Sequence, residues 1–295
     1  MLPVDGVVAG YNLVLALVWL GLWGRAPHAW IVALCHVAAA GLPWLLSGAT
    51  PRGWMRALRE GYPLIGFAVF WGELGVVQRL RGLPPHDEAI RALDLRLFGQ
   101  HWSEVWMARM PYPALQEVMW FCYFLYYILL VVPPIAIGVA RGWKAFRSVV
   151  LALMLTYLSC FVFYLGFPVY GPRAMAAAAM LPSLATGFFH GLVEHARESG
   201  DSLGTAFPSS HVAGVVTMAW MGWRWLGAGW GLLLTVAATA VALATVYTGN
   251  HYVVDAVAGA LWVLPLQLRI QPYLERKDTG LPRPEQADAG LPSSL

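Results

Sequence analysis

Charge is the scarcest property of this sequence. Asp, Glu, Lys and Arg make up only 12% of its 295 residues, against about 25% in a water-soluble domain. That shortage excludes an ordinary soluble globular protein. The formal net charge of +3 is too small and too scattered for a nucleic-acid surface. Cysteine is scarce too. Cys35, Cys122 and Cys160 fall in apolar stretches. An odd number with no paired spacing offers neither a disulfide framework nor a thiolate metal site, so they read as small apolar fillers. A basic segment ahead of the first apolar run is also missing, since the first cation is Arg25. Residues 7–23 are therefore expected to be a retained first span, not a cleaved leader.

What is present in quantity is hydrocarbon. Hydrophobic residues are 59% of the chain and the mean hydropathy is +0.59. Fifteen Trp and twelve Tyr suit a protein with many membrane–water boundaries, where amphipathic rings settle at headgroup depth. A span needs about 20 mainly apolar residues. Segments near 7–24, 29–49, 61–80, 114–140, 147–168, 210–226, 229–247 and 252–270 qualify. Short turns marked by Gly, Pro or Arg separate most of them. The expected fold is an all-α polytopic membrane protein, with antiparallel neighbours in one bundle.

Two connections are long. In the first, residues 81–113, Ile90, Leu93, Leu97 and Phe98 share a helical face, which predicts an amphipathic interfacial helix at about 86–100. The second, residues 169–209, has an Ala-rich run at 176–179 and a mixed stretch from Phe188 to Glu198, and interfacial helices are expected at about 175–200. Residues 275–295 read as a disordered polar tail. Lys and Arg in the connections favour cytoplasmic termini, with the loops bearing Arg173 and His251 facing outward.

Three stretches place ionisable groups beside spans, where they are costly and default to function. The third, Tyr247 to Asp255, carries His251 and Asp255 four residues apart, on one face if helical. A carboxylate at that spacing can fix the imidazole tautomer and present the other nitrogen to a substrate. A structural His–Asp pair or half of a metal site fits the fragment equally. The second stretch, Phe207-Pro208-Ser209-Ser210-His211, opens a helix. Its unpaired N–H groups and hydroxyls make an anion site, and His211 stands beside it as a candidate proton donor. The first stretch ends Tyr170-Gly171-Pro172-Arg173 and supplies a guanidinium in a rigid turn, suited to phosphate oxygens. On the predicted topology all three open on one membrane face, an arrangement suited to in-line displacement at phosphorus. Glu73 in the third span reads as lining a cavity or capping a crevice, and His36 as an interhelical hydrogen-bonder.

These stretches resemble the three motifs of the type 2 phosphatidic acid phosphatase (PAP2) superfamily: Lys-x6-Arg-Pro, Pro-Ser-Gly-His and Ser-Arg-x5-His-x3-Asp. The likeness runs over about residues 61–270 and implies a six-helix transmembrane core (61–274) behind an N-terminal pair of spans (1–60). It implies that His251 is a nucleophile forming a phosphohistidine, Asp255 its orienting partner and His211 the general acid. Arg173, Ser209 and Ser210 would bind phosphate, with Tyr170, Asn250 and Tyr252 around the pocket, no metal and no cofactor. Several positions depart from the pattern. Gly166 stands at the first-motif Lys, Ala174 follows Arg173, Ser210 replaces Gly, and Ala244 and Thr245 stand where Ser and Arg would be. Losing two of three motif cations favours a singly charged phosphodiester over a dianionic monoester. His251-Tyr252-Val253-Val254-Asp255 and Asp94-Leu95-Arg96-Leu97-Phe98-Gly99 are similar to the branch containing inositol phosphorylceramide synthases.

The resemblance thus implies transfer of a phosphorylated headgroup from a membrane phospholipid to a lipid alcohol such as ceramide or diacylglycerol. The expected location is a bacterial inner membrane, with the site facing the periplasm or exterior. A lipid phosphate phosphatase or phospholipase-C-like hydrolase shares the first half-reaction. A polyprenyl-pyrophosphate phosphatase would need more cations, and a non-enzymatic lipid-binding protein would not need the histidine pair.

Overall fold

The structure is a computed structural model and describes residues 2–45, 52–175, 187–198, 200 and 202–279. The elements in chain order are α1 (Pro3–Gly21), α2 (Ala29–Leu45), α3 (Trp54–Arg81), α4 (Asp87–Phe98), α5 (Trp102–Arg109), α6 (Pro113–Arg141) and α7 (Trp143–Gly166). They continue with α8 (Pro172–Met175), α9 (Phe188–Glu198), α10 (Ser210–Leu226), α11 (Ala228–Tyr247), α12 (Val253–Pro265), a π-helical turn (Leu266–Ile270) and α13 (Gln271–Thr279). Pro at the start of α1 and α6 sits where a missing N–H costs nothing. The protein is an all-α polytopic membrane protein.

Each of the eight predicted spans appears as a helix. Five helical stretches are long and apolar enough to cross a bilayer: α1, α6, α7, α11 and the run from Val253 to Lys277. The other three fall short for visible reasons. α2 and α10 have 17 residues each, about 26 Å at 1.5 Å per residue. α3 has 28 residues but carries Arg56, Arg59, Glu60, Glu73, Arg79 and Arg81.

Arg56, Arg59, Glu60 and Glu73 are paired, and Arg81 donates to the Leu165 carbonyl. Asp5 takes both guanidinium nitrogens of Arg59 at 2.9 and 2.6 Å, and Glu60 accepts from Arg56 and Arg147. Glu73 accepts from the Trp19 indole at 2.5 Å and faces His36 Nε2 at 2.6 Å, while His36 Nδ1 meets Asn12 at 2.8 Å. His36 is the interhelical hydrogen-bonder that was expected. Glu73 closes this network among α1, α2 and α3, so it caps no crevice.

α7 is the axis of the bundle. Hydrophobic on all sides, it is buried on all sides, and α1, α3, α6, α10 and α13 pack around it. The last span runs on through the π turn after Pro265. Residues 275–279, expected to begin a disordered tail, instead end α13. Glu275 anchors that helix by accepting from Arg224, Ser148 and Gln271. Residues 280–295, and the Ala-rich run at 176–179, lie outside the described residues.

The interfacial helix forms at Asp87–Phe98 but turns an unexpected face inward. Asp87, Ile90 and Asp94 are buried, while Leu93, Leu95 and Leu97 are exposed. The reason is chemical. In a water-poor interface, backbone N–H groups of neighbouring loops need acceptors, and the two carboxylates supply them.

Candidate active site

The site is built where three loops meet. α11 ends at Tyr247, and Gly249 turns the chain with φ +70°, a conformation that strains any side chain. The N–H groups of Asn250 and His251 then both donate to the Thr245 carbonyl, at 3.0 and 3.1 Å. This tight turn brings His251 down onto the start of α12. Asp255, in the first turn of α12, accepts from the Tyr252 N–H at 2.8 Å. The same oxygen lies 3.5 Å from His251 Nδ1. The pair meets as the spacing predicted, although His251 lies just before the helix. Asp255 is fully buried and its second oxygen has no partner among the described residues.

α10 opens beside this turn. The Ser209 hydroxyl caps the helix by accepting from Val212 N–H at 3.3 Å, and the Ser209 N–H donates to the Asp255 carbonyl at 2.9 Å. Tyr164 of α7 clamps the same segment, donating to the Pro208 carbonyl at 2.5 Å and accepting from Ser210 N–H at 3.1 Å. Gly259 lets α12 approach so closely that a Cβ there would run into the Ser209 carbonyl. His211 is thereby set opposite His251, with Nδ1 3.5 Å from His251 Nε2. Its other nitrogen meets the Tyr123 hydroxyl at 3.2 Å, and its ring lies 4.3 Å from that of Tyr126.

The first stretch is held from outside the membrane core. Asp87 accepts from the Tyr170 and Gly171 N–H groups at 2.8 and 2.7 Å. Gly171 has φ +88°, and a Cβ there would press on Ala206 and the Asn250 carbonyl. Asp94, two turns along the same face of α4, accepts from Val254 N–H at 3.0 Å. One helix therefore fixes both the Arg173 loop and the His251 turn. Replacing Asp94 with Ala leaves a buried N–H without its acceptor, at a cost of about 1–3 kcal/mol. We expect a lower unfolding temperature in detergent and about a tenfold fall in kcat. Asp94→Asn, which keeps an acceptor oxygen, should restore most of both. Equal losses in the two variants would remove the hydrogen bond as the cause.

Arg173 is not open to the chamber alone. Glu194 of α9 takes both its guanidinium nitrogens, at 2.8 and 2.7 Å, and also meets Arg197 at 3.4 Å. A cavity of about 260 Å³ is lined by Tyr170, Arg173, Arg197, Asn250, His211 and His251, among others. Burial, with Arg173 and Arg197 adding and Glu194 opposing, holds the neighbouring His190 imidazole below its usual range, so it is mostly neutral at pH 7. Arg173 and Arg197 line the chamber, and Glu194 pairs with both.

Three expected pocket residues are elsewhere. Ser209 and Ser210 are buried against α7 and α12 and do not line the cavity, because the helix cap and its clamp occupy them. Tyr252 points away from His251 into a cluster with Ile90, Val169, Ala206 and Val254, since consecutive residues of an extended segment face opposite sides. Arg197, Glu194, Tyr123 and Asp87 were not marked by the motifs, and Asp94 was marked only within the segment that resembles the branch, with no role assigned. Only the i,i+3 spacing of Glu194 and Arg197 hints at their pairing. Among the described residues, no three His, Cys, Asp or Glu side chains gather in a metal-binding group.

A family model of the PAP2 superfamily, from the branch that the motifs resemble, matches residues 88–267. No curated protein and no solved structure matches the chain. The match begins in α4, so α3 lies ahead of it, later than the start near residue 61 that the motifs suggested. It spans α4 to the π turn and contains His211, His251, Asp255 and Arg173. With more than half of its length matched, the chain belongs to the PAP2 superfamily, a group of phosphatase- and phosphotransferase-type proteins.

Proposed function

We propose that the protein is an integral membrane phosphotransferase that acts on a phosphodiester lipid without a metal. His251 is the nucleophile, His211 the acid and base, and Asp255 the orienting carboxylate. The observation that carries this reading is the pair of facing imidazoles, 3.5 Å apart and backed by Asp255, in a chamber that Arg173 and Arg197 also line. Burial of Asp255 beside His251 Nδ1 favours the tautomer whose Nε2 lone pair faces the chamber. That nitrogen attacks phosphorus, the P–O bond to the lipid alcohol breaks, and His211 delivers the proton to the departing oxygen. A second alcohol then gives its proton to His211 and takes the phosphoryl headgroup from His251. Water in the same place gives hydrolysis instead.

Glu194 pairs with both lining arginines, which leaves less cationic charge for a dianionic monoester and favours a singly charged diester. This supports transfer of a phosphorylated headgroup from a membrane phospholipid to an acceptor such as ceramide or diacylglycerol. On the positive-inside argument the chamber opens to the periplasm or exterior of a bacterial inner membrane. The test is a panel of headgroup-labelled phospholipids, each incubated with the protein with and without ceramide or diacylglycerol. A new labelled lipid formed only with acceptor supports transfer. Release of the soluble phosphorylated headgroup shows a hydrolase, and free phosphate from phosphatidic acid alone would remove the diester reading.

A further inference from the structure

Immediately beside the polar chamber lies a second cavity, of about 310 Å³. Phe67 and Ala68 of α3 and Tyr127 and Leu130 of α6 form its walls, and Trp71, Tyr123, Arg197 and His211 are shared with the chamber. From Tyr123 to Leu130 it descends seven residues of α6, about 10 Å into the bundle. Among the described residues its one arginine, Arg197, stands at the mouth, and below that the lining is aromatic and aliphatic. α3 and α6 both pack on α7, and between them the small side chain of Ala68 is exposed. Trp71 is fixed as a partition. Its indole donates to the Gly200 carbonyl at 2.6 Å, and its own carbonyl accepts from the Ser202 hydroxyl at 2.6 Å.

We propose that this slot holds the hydrocarbon chain of the lipid alcohol, with the alcohol oxygen at His211. The inference rests on the phosphohistidine reading and extends it to the second substrate. In an in-line displacement the alcohol leaves opposite the attacking His251 nitrogen, and any alcohol that reverses the step must enter from that same side. His211 forms the wall between chamber and slot, so it faces both the phosphoryl group and the alcohol. In the first half-reaction the His251 N–P bond forms, the alcohol P–O bond breaks, and the proton moves from His211 to the alcohol oxygen. In the second half-reaction the acceptor O–H gives its proton to His211, its P–O bond forms and the N–P bond breaks. A single slot serves the leaving and the entering alcohol in turn, so the two lipids compete for it.

The test uses the full chain in phosphatidylcholine vesicles with a diacylglycerol that carries a photoactivatable diazirine near the middle of one acyl chain. Crosslinks are expected on the peptides around Phe67–Trp71 and Tyr123–Leu130, and excess unlabelled diacylglycerol should suppress them. Ala68→Trp fills the slot from α3, and Leu130→Trp fills it from α6. Each should lower labelling at least about tenfold, the effect of unburying roughly two methylene groups. Turnover of the soluble diester bis(p-nitrophenyl) phosphate serves as the folding control and should stay within about twofold. Labelling spread over lipid-facing positions such as Val139 and Leu261, or unchanged in both variants, overturns the slot. Loss of soluble-diester turnover in parallel with labelling in both variants also overturns it, since that marks general damage. The underlying reading fails separately, if His251→Ala still turns over the soluble diester, whatever the labelling shows.

Discussion

His251→Ala is expected to lower turnover of any active lipid by about 10⁴-fold or more, because it removes the proposed nucleophile. The measurement is the single-turnover rate in detergent with a headgroup-labelled phospholipid. An acid-labile, base-stable phosphoenzyme should be trapped from the parent protein and be absent from the variant. Asp255→Asn should cost less, about 10²–10³-fold. It keeps an oxygen for the Tyr252 N–H but weakens the bias on the His251 tautomer, and the His251–Asp255 contact is long, at 3.5 Å. His211→Ala should fall between the two with lipid substrates, whose alcohol is a poor leaving group. It should cost far less with a nitrophenolate leaving group, which needs no proton. If His251→Ala keeps a tenth of the parent rate, the phosphohistidine proposal is wrong.

The spans were legible because their signal is compositional. Eight apolar segments became eight helices, and the errors lie at the ends, as in the five residues 275–279 that Arg224 and Ser148 hold in α13. The histidines and Asp255 were legible because their spacing is local and their chemistry is specific. What could not be read is pairing across distance. Glu194 and Arg173 are 21 residues apart, and nothing in the sequence between them announces a bidentate pair. Asp87 and Asp94 looked like the solvated side of an amphipathic helix. In water that reading is sound. At a membrane interface the same carboxylates serve better as acceptors for stranded N–H groups, so α4 turned its polar face inward. Ser209 was expected to bind phosphate, but its role as the α10 helix cap withdraws its hydroxyl from the chamber.

The lost motif cations show how a departure from a pattern can be compensated in part. Gly166 and Thr245 carry no charge, yet Arg197 reaches the chamber from α9. Had Arg197 stood there alone with Arg173, the chamber would suit a dianion. Glu194 pairs with both arginines and offsets part of that charge, which supports the proposed diester preference from residues outside the motifs.

That balance sets the second large expected effect. Glu194→Gln keeps an acceptor oxygen for Arg173 and removes the negative charge, raising the net charge around the chamber by one unit. A dianionic phosphomonoester gains roughly twice as much from the added unit as a monoanionic diester does. Glu194 is about a quarter exposed, at 26%, so solvent screens part of the effect. The expected shift in relative kcat/KM towards phosphatidic acid over a phosphodiester lipid is about 10- to 100-fold, or about 1.4–2.7 kcal/mol. It should shrink as salt rises from 0.05 to 0.5 M, because the Debye length contracts below the dimensions of the chamber, to about 4 Å. Arg197→Gln makes the opposite change, lowering that charge by one unit, and should cost the monoester more than the diester. Both variants keep the size of the side chain roughly constant, so thermal unfolding in detergent should stay close to the parent and separate charge from folding. A preference that moves the same way in both variants, or in neither, would show that the Arg173–Glu194–Arg197 group shapes α9 without selecting the substrate.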